Sequence, residues 1–349
     1  MEEYINLLQK IITTPSFSYE ELNVALIIRD FLKSKNINFE SENNNTWCKN
    51  DYWDEKKPVI MLNSHIDTVK PSKNWTVDPF RPILQGDKLT GLGSNDAGAS
   101  LITLMAVFIK LNKVKELPFN LIYLASAEEE ISGVNGIESI LPKLGKIDFV
   151  IVGEPTGMEM AIAEKGLLVL DCIAQGKAGH AARNTGINAI YKALEDIEIL
   201  KNYNFENSSK ILGPVKISVT QINAGYQHNI IPDICKFVVD VRTNEHYSNK
   251  EAFNIIKGLI SSQVVARSLR LCSSGIPLNH PIILKAKEIG VNCFGSPTTS
   301  DQAVIPYPSI KMGPGDSNRS HTADEYILIS EIKNSFPIYL KLLKNLNLN

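Results

Sequence analysis

The sequence lacks several features that would place the protein in a special class. Its five cysteines are widely spaced and form no CxxC pair, so we expect neither a disulfide framework nor a thiolate metal site. No uncharged apolar run approaches the roughly 20 residues that a membrane-spanning helix needs. The opening residues MEEYINLLQK lack the basic and apolar segments of a signal peptide, so we expect a cytoplasmic protein with reduced thiols.

The chain also has no excess of charge. Its 36 basic and 38 acidic residues give a formal net charge of -2, which provides no general attraction to nucleic acid or to an anionic membrane. We therefore predict neither as a partner. The length of 349 residues and the hydrophobic content of 44% indicate two domains with sizeable cores, one of them assembled from separated segments.

Short apolar runs lead directly into acidic residues and histidine. The run 59–62 leads to His65 and Asp67, 119–125 leads to three successive glutamates, and 148–152 leads to Glu154. Such runs predict buried strands. The side-chain period of two places His65 and Asp67 on one face, where the carboxylate can orient the imidazole. Polar residues at the ends of several strands are typical of a site at the edge of an α/β sheet.

Two further polar residues lie in glycine-rich segments. Asp96 in GLGSNDAG precedes a helix predicted from about Ala99, and an ordinary helix N-cap is the alternative interpretation. The glycine spacing fits neither the dinucleotide nor the P-loop pattern, which excludes a phosphate loop. His321 lies in a polar loop without apolar neighbours, so we interpret it as a ligand rather than a core histidine.

The rest of the chain fits around these segments. Helical periodicity predicts helices over 1–12 and 22–34, whereas the polar stretch 43–57 predicts a surface connection. A last helix is predicted from about Ser330, with a kink or break at Pro337.

The pattern of predicted helices and strands changes between residues 167 and 273. The apolar patterns there give the order βαββαβ, with a second helix over 249–263 and a last strand over 266–273. We therefore predict an inserted domain at 167–273 and a discontinuous catalytic domain of residues 1–166 and 274–349.

The polar residues together indicate a metal centre. Two imidazoles and three carboxylates suit a pair of borderline divalent ions, and these residues are His65, Asp96, Glu130, Glu154 and His321. One bridging carboxylate, with one histidine and one acid added for each ion, gives two comparable sites. Glu129 is then left beside them, where a general base belongs.

The ordered motifs resemble one known family. They are SHIDTV, GLGSNDAG, AEEEISG, VGEPT, GHAA, NIIPD and GPGDSNRSHTADEY. Together they resemble the M20 family of metallopeptidases and amidohydrolases, in particular its acetylornithine deacetylase-like branch. The resemblance implies a zinc-aminopeptidase-like mixed α/β/α catalytic domain with an inserted ferredoxin-like lid and dimerisation domain.

The resemblance also implies roles for individual residues. His65 and Glu154 would hold one zinc ion, Glu130 and His321 the other, and Asp96 would bridge them, with cobalt as a possible substitute. Glu129 would be the base, Asp67 would orient His65, and Glu128 would align with an aspartate of the family pattern. His180 would reach the active site of a partner chain in a homodimer and stabilise the oxyanion; a loop histidine packed at the dimer interface is the alternative.

The resemblance implies an N-acyl amino acid as substrate. Contacts to it are expected from Asn229, Arg242 and Gly313, with Arg242 as the partner of the α-carboxylate. Arg319 can serve a succinyl group or be structural. The leading prediction is removal of an acyl group in arginine biosynthesis, from N-acetylornithine, N-acetylcitrulline or a succinyl equivalent. Succinyl-diaminopimelate desuccinylase, a dipeptidase or tripeptidase, and a non-catalytic binding module are the alternatives.

Overall fold

The computed structural model describes residues 1–183 and 185–348. Within these ranges the helices are α1 (Glu2–Ile12), α2 (Leu22–Ser34), α3 (Ala99–Asn112), α4 (Ile137–Leu144), α5 (Ala189–Asn202), α6 (Asn249–Leu259), α7 (Pro281–Glu288) and α8 (Ile329–Leu343). The strands are β1 (Glu40–Glu42), β2 (Asn45–Lys49), β3 (Val59–His65), β4 (Ile83–Gln85), β5 (Lys88–Thr90), β6 (Asn120–Ser126), β7 (Phe149–Val152), β8 (Met160–Glu164), β9 (Gly166–Gln175), β10 (Gly179–His180), β11 (Lys216–Ala224), β12 (Ile230–Ile231), β13 (Ile234–Thr243), β14 (Gln263–Ala266), β15 (Ser274–Gly275), β16 (Cys293–Ser296), β17 (Ser309–Lys311) and β18 (Tyr326–Leu328). Short helical turns lie at Ser94–Gly98, Glu129–Ile131, Asp301–Val304 and Ser317–Arg319.

The chain divides into two compact units. Unit 1 comprises Met1–Ile162, Ile276–Phe294 and Ser300–Asn349, and unit 2 comprises Ala163–Gly275 and Gly295–Thr299. None of the helices in the described part of the chain is long and apolar enough to cross a membrane.

A mixed sheet forms the centre of unit 1. Its strands follow the order β1-β2-β6-β3-β7-β17-β8, and the four strands β6, β3, β7 and β17 are mutually parallel. Every residue of β3 and β6 is buried, which agrees with their nearly continuous apolar sequences, because parallel strands are covered on both faces. The carboxyl ends of the four parallel strands lie at one edge of the sheet, which is where the polar segments follow.

Helices cover both faces of this sheet. On one face α4 contributes Ile137, Ile140 and Leu141 to a core that also contains Met61 and Val150. Helix α3 packs against β3, β6, α1 and α8, and it is buried along almost its whole length. The predicted α/β class with an α/β/α arrangement is therefore confirmed.

Unit 2 is an antiparallel sheet with two helices. Its four longer strands follow the order β11-β13-β9-β14. Strand β9 alternates between buried and partly exposed residues, as expected for a sheet with one covered face. Helices α5 and α6 supply Ala189, Ala193, Ala252 and Ile256 to the core on that face. This is the predicted βαββαβ order.

Two local predictions are wrong for identifiable reasons, and a third fails in one of its two alternatives. The stretch 43–57 contains the buried strand β2, because the amide of Asn45 is fully hydrogen-bonded, to the backbone of Glu42, Asn135 and Ala127. Polar composition therefore hides a core strand.

In unit 2, α6 ends at Leu259 and the next strand covers Gln263–Ala266 rather than 266–273. The carboxylate of Asp196 accepts the backbone N–H groups of Ser261 and Ser262, so these groups are not available to continue the helix. At the C-terminus, α8 is a single helix that continues through Pro337, which excludes the break, one of the two predicted effects of this proline.

Candidate metal centre and active site

His65 is the last residue of β3 and is almost completely buried. Its Nδ1 lies 2.9 Å from the backbone carbonyl of Asp67. Because a carbonyl can only accept, Nδ1 donates its proton to it, and Nε2 is the ring nitrogen left to face the neighbouring acids. That Nε2 faces Asp96 Oδ1 at 3.2 Å and Glu154 Oε1 at 3.8 Å. A ring held in this way through Nδ1 would bind a metal ion through Nε2.

The two carboxylate oxygens of Asp96 face different partners. Oδ1 faces His65, whereas Oδ2 lies 3.7 Å from His321 Nε2. His321 Nε2 is in turn 2.9 Å from Glu130 Oε2. One carboxylate thus lies between two pairs of candidate ligands, His65 with Glu154 and His321 with Glu130. This is the arrangement expected of a ligand shared by two ions.

Glu129 lies beside the first of these pairs. One carboxylate oxygen of Glu129, one of Glu154 and a ring nitrogen of His65 all lie within 4.8 Å of one another. Burial raises the pKa of Glu129 well above its usual value, and the charges of Glu154 and Asp301 raise it further, against the opposing effect of His65. A carboxylate in such surroundings holds a proton more strongly than a carboxylate in water.

Glu128 has a different environment from the next two glutamates. Its carboxylate accepts hydrogen bonds from the backbone and the side-chain amide of Asn135. Its backbone has a φ of 57°, which turns the chain at the exit of β6. Of the three successive acids, Glu128 holds the loop, whereas Glu129 and Glu130 belong to the clusters of possible metal ligands.

Asp67 contacts the site in an unexpected way. Its carboxylate oxygen lies 3.5 Å from His65 Nδ1, which is longer than a good hydrogen bond, so the main chain of Asp67 orients the imidazole instead. The carboxylate accepts the backbone N–H groups of Glu129 and Glu130, each at 3.1 Å, and the hydroxyl of Ser18 at 2.7 Å. The period-two argument assigned the carboxylate of Asp67 to the imidazole, but β3 ends at His65 and the carboxylate accepts its short hydrogen bonds from these other partners.

The chemistry of the donor set fits two divalent cations. Nitrogen and oxygen donors of this kind suit zinc and similar ions. Burial raises the pKa of Glu154 to about 8, and the nearby charges of Asp96 and Glu130 raise it while His65 and Lys311 oppose the change. Carboxylates crowded in this way repel one another, and cations held between them would relieve the repulsion. The residues present therefore fit a dinuclear centre.

Two other predicted residues lie together in unit 2. His180 is the last residue of β10, which pairs with β12 so that His180 is opposite Ile230, the residue after Asn229. The carbonyl of Asn229 accepts the N–H of Ala181. The Nδ1 of His180 accepts the N–H of Ala182 at 3.1 Å, so the neutral ring carries its proton on Nε2. His180 is exposed and presents a hydrogen-bond donor.

The predicted substrate contacts Arg242 and Gly313 already have partners within the chain. Arg242 makes a two-point contact with Asp240, at 2.8 and 3.0 Å, and donates to the hydroxyl of Thr299. The carbonyl of Gly313 accepts the N–H of Thr156, and the N–H of Gly313 donates to the side-chain hydroxyl of Thr156. A Cβ atom at Gly313 would lie 2.1 Å from Ser100 Oγ and 2.5 Å from the carbonyl oxygen of Glu154, so this position has no room for a side chain.

Arg319 is occupied by a structural contact. Its guanidinium donates to both carboxylate oxygens of Glu331, at 2.8 and 3.1 Å, and lies over the ring of Tyr326 at 4.4 Å from the centroid. The structural interpretation of this arginine is therefore favoured over recognition of a succinyl group.

Sequence reasoning missed Glu325 and Asn95, which join two loops of the site. The buried carboxylate of Glu325 accepts the backbone N–H groups of Gly93, Asn95 and Asp96, at 2.8 to 3.1 Å. The side chain of Asn95 exchanges hydrogen bonds with the backbone of Asp316, in the loop that carries His321. The available signal was the position of Glu325 four residues after His321, in the motif HTADE.

Asp301 was also missed. Its buried carboxylate accepts from Asn63 Nδ2 and Ser126 Oγ, both at 2.8 Å, near the ends of β3 and β6. Burial raises the pKa of Asp301 to about 6. The loop containing it, TTSDQ, has no pattern that distinguishes it from an ordinary polar turn.

Comparison with known proteins places this geometry in a family. The model of peptidase family M20/M25/M40 matches residues 61–345, which is most of the chain and includes every candidate ligand. The chain belongs to the M20/M25/M40 peptidase family. It is therefore a metal-dependent amide hydrolase.

Two curated relatives match over most of their length. The acetylornithine deacetylase of Buchnera aphidicola subsp. Schizaphis graminum is 26% identical, with 94% of this chain and 88% of the relative covered. The succinyl-diaminopimelate desuccinylase of Wolbachia pipientis wMel is also 26% identical, with coverages of 98% and 92%. Their names differ in both the acyl group and the amino acid.

Solved structures of M20 proteins share the fold. The metallo-carboxypeptidase Sso-CP2 from Sulfolobus solfataricus superimposes with a TM-score of 0.79 at 17% identity, and each chain is covered completely. The YXEP protein of Bacillus subtilis, described as a dinuclear metal-binding peptidase, has a TM-score of 0.72 at 18% identity, with 100% of this chain and 99% of that chain covered. At these identities the likeness concerns the fold alone.

Proposed function

We propose that the protein removes the acyl group from an N-acyl amino acid of arginine biosynthesis. The candidates are N-acetylornithine, N-acetylcitrulline and their N-succinyl equivalents. The observation that carries the proposal is the position of Asp96 between two ligand pairs with Glu129 next to them. The relative named acetylornithine deacetylase supports the choice of substrate.

The centre would hold two divalent ions, with zinc as the expected metal and cobalt as a substitute. His65 and Glu154 would bind one ion, His321 and Glu130 the other, and Asp96 both. When bound, such ions polarise the scissile carbonyl and lower the pKa of the attacking water. Nε2 of His65 would be the ligand atom, because Nδ1 donates its proton to the backbone carbonyl of Asp67.

Glu129 would move the proton. Its carboxylate would accept a proton from the attacking water and return it to the leaving amine, which requires a group that holds the proton between the two events. Its burial and the neighbouring charges of Glu154 and Asp301 raise the pKa of Glu129, so the carboxyl group can hold the proton between the two steps. The backbone N–H of Glu129 donates to Asp67, and this hydrogen bond fixes the position from which the side chain of Glu129 extends.

His180 would stabilise the oxyanion in the active site of a partner chain. Its Nε2–H is a donor, as this role demands, because Nδ1 is occupied by Ala182. Unit 2 would then be both the lid and the surface that forms a homodimer. Mixing two inactive variants, His180→Ala and Glu129→Ala, tests this: a mixed dimer would contain one site with both residues intact and would recover activity. If dimers containing both chains are shown to form and activity stays absent, action across the dimer is contradicted.

Asn229, Arg242 and Gly313 remain the proposed substrate contacts. Three of the five N–H groups of Arg242 are used by Asp240 and Thr299, so a substrate carboxylate would use the others. Asn229 lies on the same two-stranded ribbon as His180. Gly313 would contribute by allowing a close approach rather than by a side chain.

A panel of substrates tests the proposed function. Protein loaded with zinc or cobalt should be assayed against acetyl and succinyl derivatives of ornithine, citrulline and diaminopimelate, and against dipeptides and tripeptides. We expect the highest kcat/KM for an ornithine or citrulline derivative. Preference for succinyl-diaminopimelate, the activity named for the Wolbachia relative, or for peptides would replace the proposed substrate by one of these alternatives. Hydrolysis of none of them would contradict the proposal.

A further inference from the structure

The loop between α1 and α2 is fixed to the segment that leaves β3. Ser16 donates its hydroxyl to the carbonyl of Ile66 at 2.8 Å, and its own carbonyl accepts the N–H of Thr68 at 2.8 Å. Phe17 forms a parallel bridge with Thr68. These contacts place Ser18 directly beside Asp67, about 50 residues later in the chain.

Ser18 contacts the carboxylate of Asp67, which accepts hydrogen bonds from the turn that carries Glu129 and Glu130. Its hydroxyl donates to Asp67 Oδ2 at 2.7 Å, the same oxygen that accepts the N–H of Glu130. The other oxygen accepts the N–H of Glu129. Ser18 therefore restrains the carboxylate of Asp67, which accepts the backbone N–H groups of Glu129, the proposed base, and of Glu130, a proposed ligand.

A second residue of the same loop holds the preceding position. Glu21 is completely buried, and its Oε1 accepts the N–H of Glu128 at 3.2 Å and that of Tyr19 at 2.9 Å. Three successive N–H groups, those of residues 128 to 130, thus each donate to a carboxylate. The left-handed backbone of Glu128 needs such support, because this conformation is unfavourable for a residue with a side chain.

We propose that Ser18 is a positioning residue for hydrolysis, acting through Asp67 on the backbone of Glu129 and Glu130. The proposal rests on the assignment of Glu129 as the base and Glu130 as a ligand. Ser18 itself touches neither a reacting atom nor a ligand atom in the structure. Loss of a group bonded directly to a metal ligand changes activity or metal affinity by about 10- to 100-fold, and Ser18 acts one contact further away, so we expect the lower end of this range.

The variant Ser18→Ala tests the proposal, with Ser18→Thr and Ser330→Ala as controls. Ser330 also donates its hydroxyl to a carboxylate of unit 1, that of Asp87, and among the described residues its side chain has no hydrogen bond to the site. We expect Ser18→Ala to lower kcat by about 10-fold with KM within about twofold, since a misplaced base slows the reaction more than binding. Ser18→Thr should keep most of the rate because it retains the hydroxyl. Ser330→Ala should have the wild-type kcat.

Cobalt absorption gives a readout that does not depend on the substrate. Ser18→Ala loaded with cobalt should show a changed visible spectrum, because Glu130 is displaced, whereas Ser330→Ala should show the wild-type spectrum. A wild-type rate and spectrum in Ser18→Ala, or equal changes in Ser330→Ala, would overturn the proposal. If wild-type protein hydrolyses no N-acyl amino acid, the proposed substrate fails, and the spectrum still decides the role of Ser18.

Discussion

At the scale of single residues, the division of work among three successive glutamates is the sharpest feature of the site. Glu128 bonds to Asn135, Glu129 lies beside His65 and Glu154, and Glu130 contacts His321. A single step along the chain therefore separates a structural acid, the proposed base and a proposed ligand. Substitutions can distinguish them, because only a ligand should change the metal content.

Glu129→Ala should abolish turnover while leaving the metal content near normal. General-base catalysis contributes about 10²- to 10⁴-fold to the rate, so kcat should fall by about 10²-fold or more. Glu130→Ala is the matched comparison and should lose affinity for one ion. Metal analysis of both purified variants checks this, and loss of metal from Glu129→Ala would show that the two roles are exchanged.

The sequence predicted which residues gather at the site better than it predicted their contacts. Strand ends and glycine-rich loops are recognisable in a sequence, so the residues that follow or lie in them could be predicted to meet. These residues are His65, Asp96, Glu130, Glu154 and His321. Two of the partners of the Asp67 carboxylate gave no recognisable signal, because they are backbone N–H groups of a segment about 60 residues away. A backbone donor leaves no trace in residue identity.

At the scale of elements, the centre depends on two loops that are joined to each other. The turn at Ser94–Gly98 carries Asp96, and the loop before β18 carries His321. Glu325 binds the first loop through three N–H groups, and Asn95 binds the second through Asp316. The carboxylate of Asp96, which is the proposed bridging ligand, and the loop of His321 are thus held by a shared network.

Glu325→Ala should weaken metal binding more than its loss of stability explains. Without the carboxylate, the N–H groups beside Asp96 lose their acceptor and the bridging ligand is no longer fixed, which we expect to lower metal affinity by about 10-fold or more. Calorimetric titration of the metal-free protein measures this effect.

Asp196→Ala provides the control for that variant. Asp196 is equally buried and accepts two backbone N–H groups in unit 2. It should lose thermal stability but keep wild-type metal affinity. If the two variants lose metal affinity equally, the effect of Glu325 is one of general stability.

The predictions of helices and strands failed where hydrogen bonds of polar side chains, rather than apolar periodicity, determine where an element lies or ends. Strand β2 was hidden by the polar character of its surroundings, although Trp47 and Cys48 are buried. The end of α6 was misplaced because Asp196, from another helix, binds the residues that follow. Both depend on contacts between distant segments, which local periodicity does not report.

At the scale of the whole molecule, the buried acids link metal binding to stability. Burial raises the pKa of Glu154 to about 8, above its usual value near 4.5. A carboxyl group with a raised folded-state pKa binds its proton more strongly in the folded state. Its stabilising contribution is complete at low pH and is lost as the pH rises from about 4.5 towards 8.

Removal of metal should therefore lower the thermal stability, and more strongly at pH 8 than at pH 5.5. Ligands that bind only the folded state stabilise it by about 2.7 kcal/mol at a hundred times their dissociation constant. Thermal unfolding with and without a chelator at the two pH values measures the difference. A melting temperature that is unaffected by chelator at pH 8 would contradict a buried metal centre.

The central claim is that two ions share Asp96, with His321 serving the second. The most direct measurement is the number of zinc ions bound per chain, determined by titration of metal-free wild-type protein and of His321→Ala. We predict two ions for the wild type and one tightly bound ion for the variant, because His65 and Glu154 keep the first site intact. A single ion in the wild type, or two ions with unchanged affinity in His321→Ala, would contradict the account.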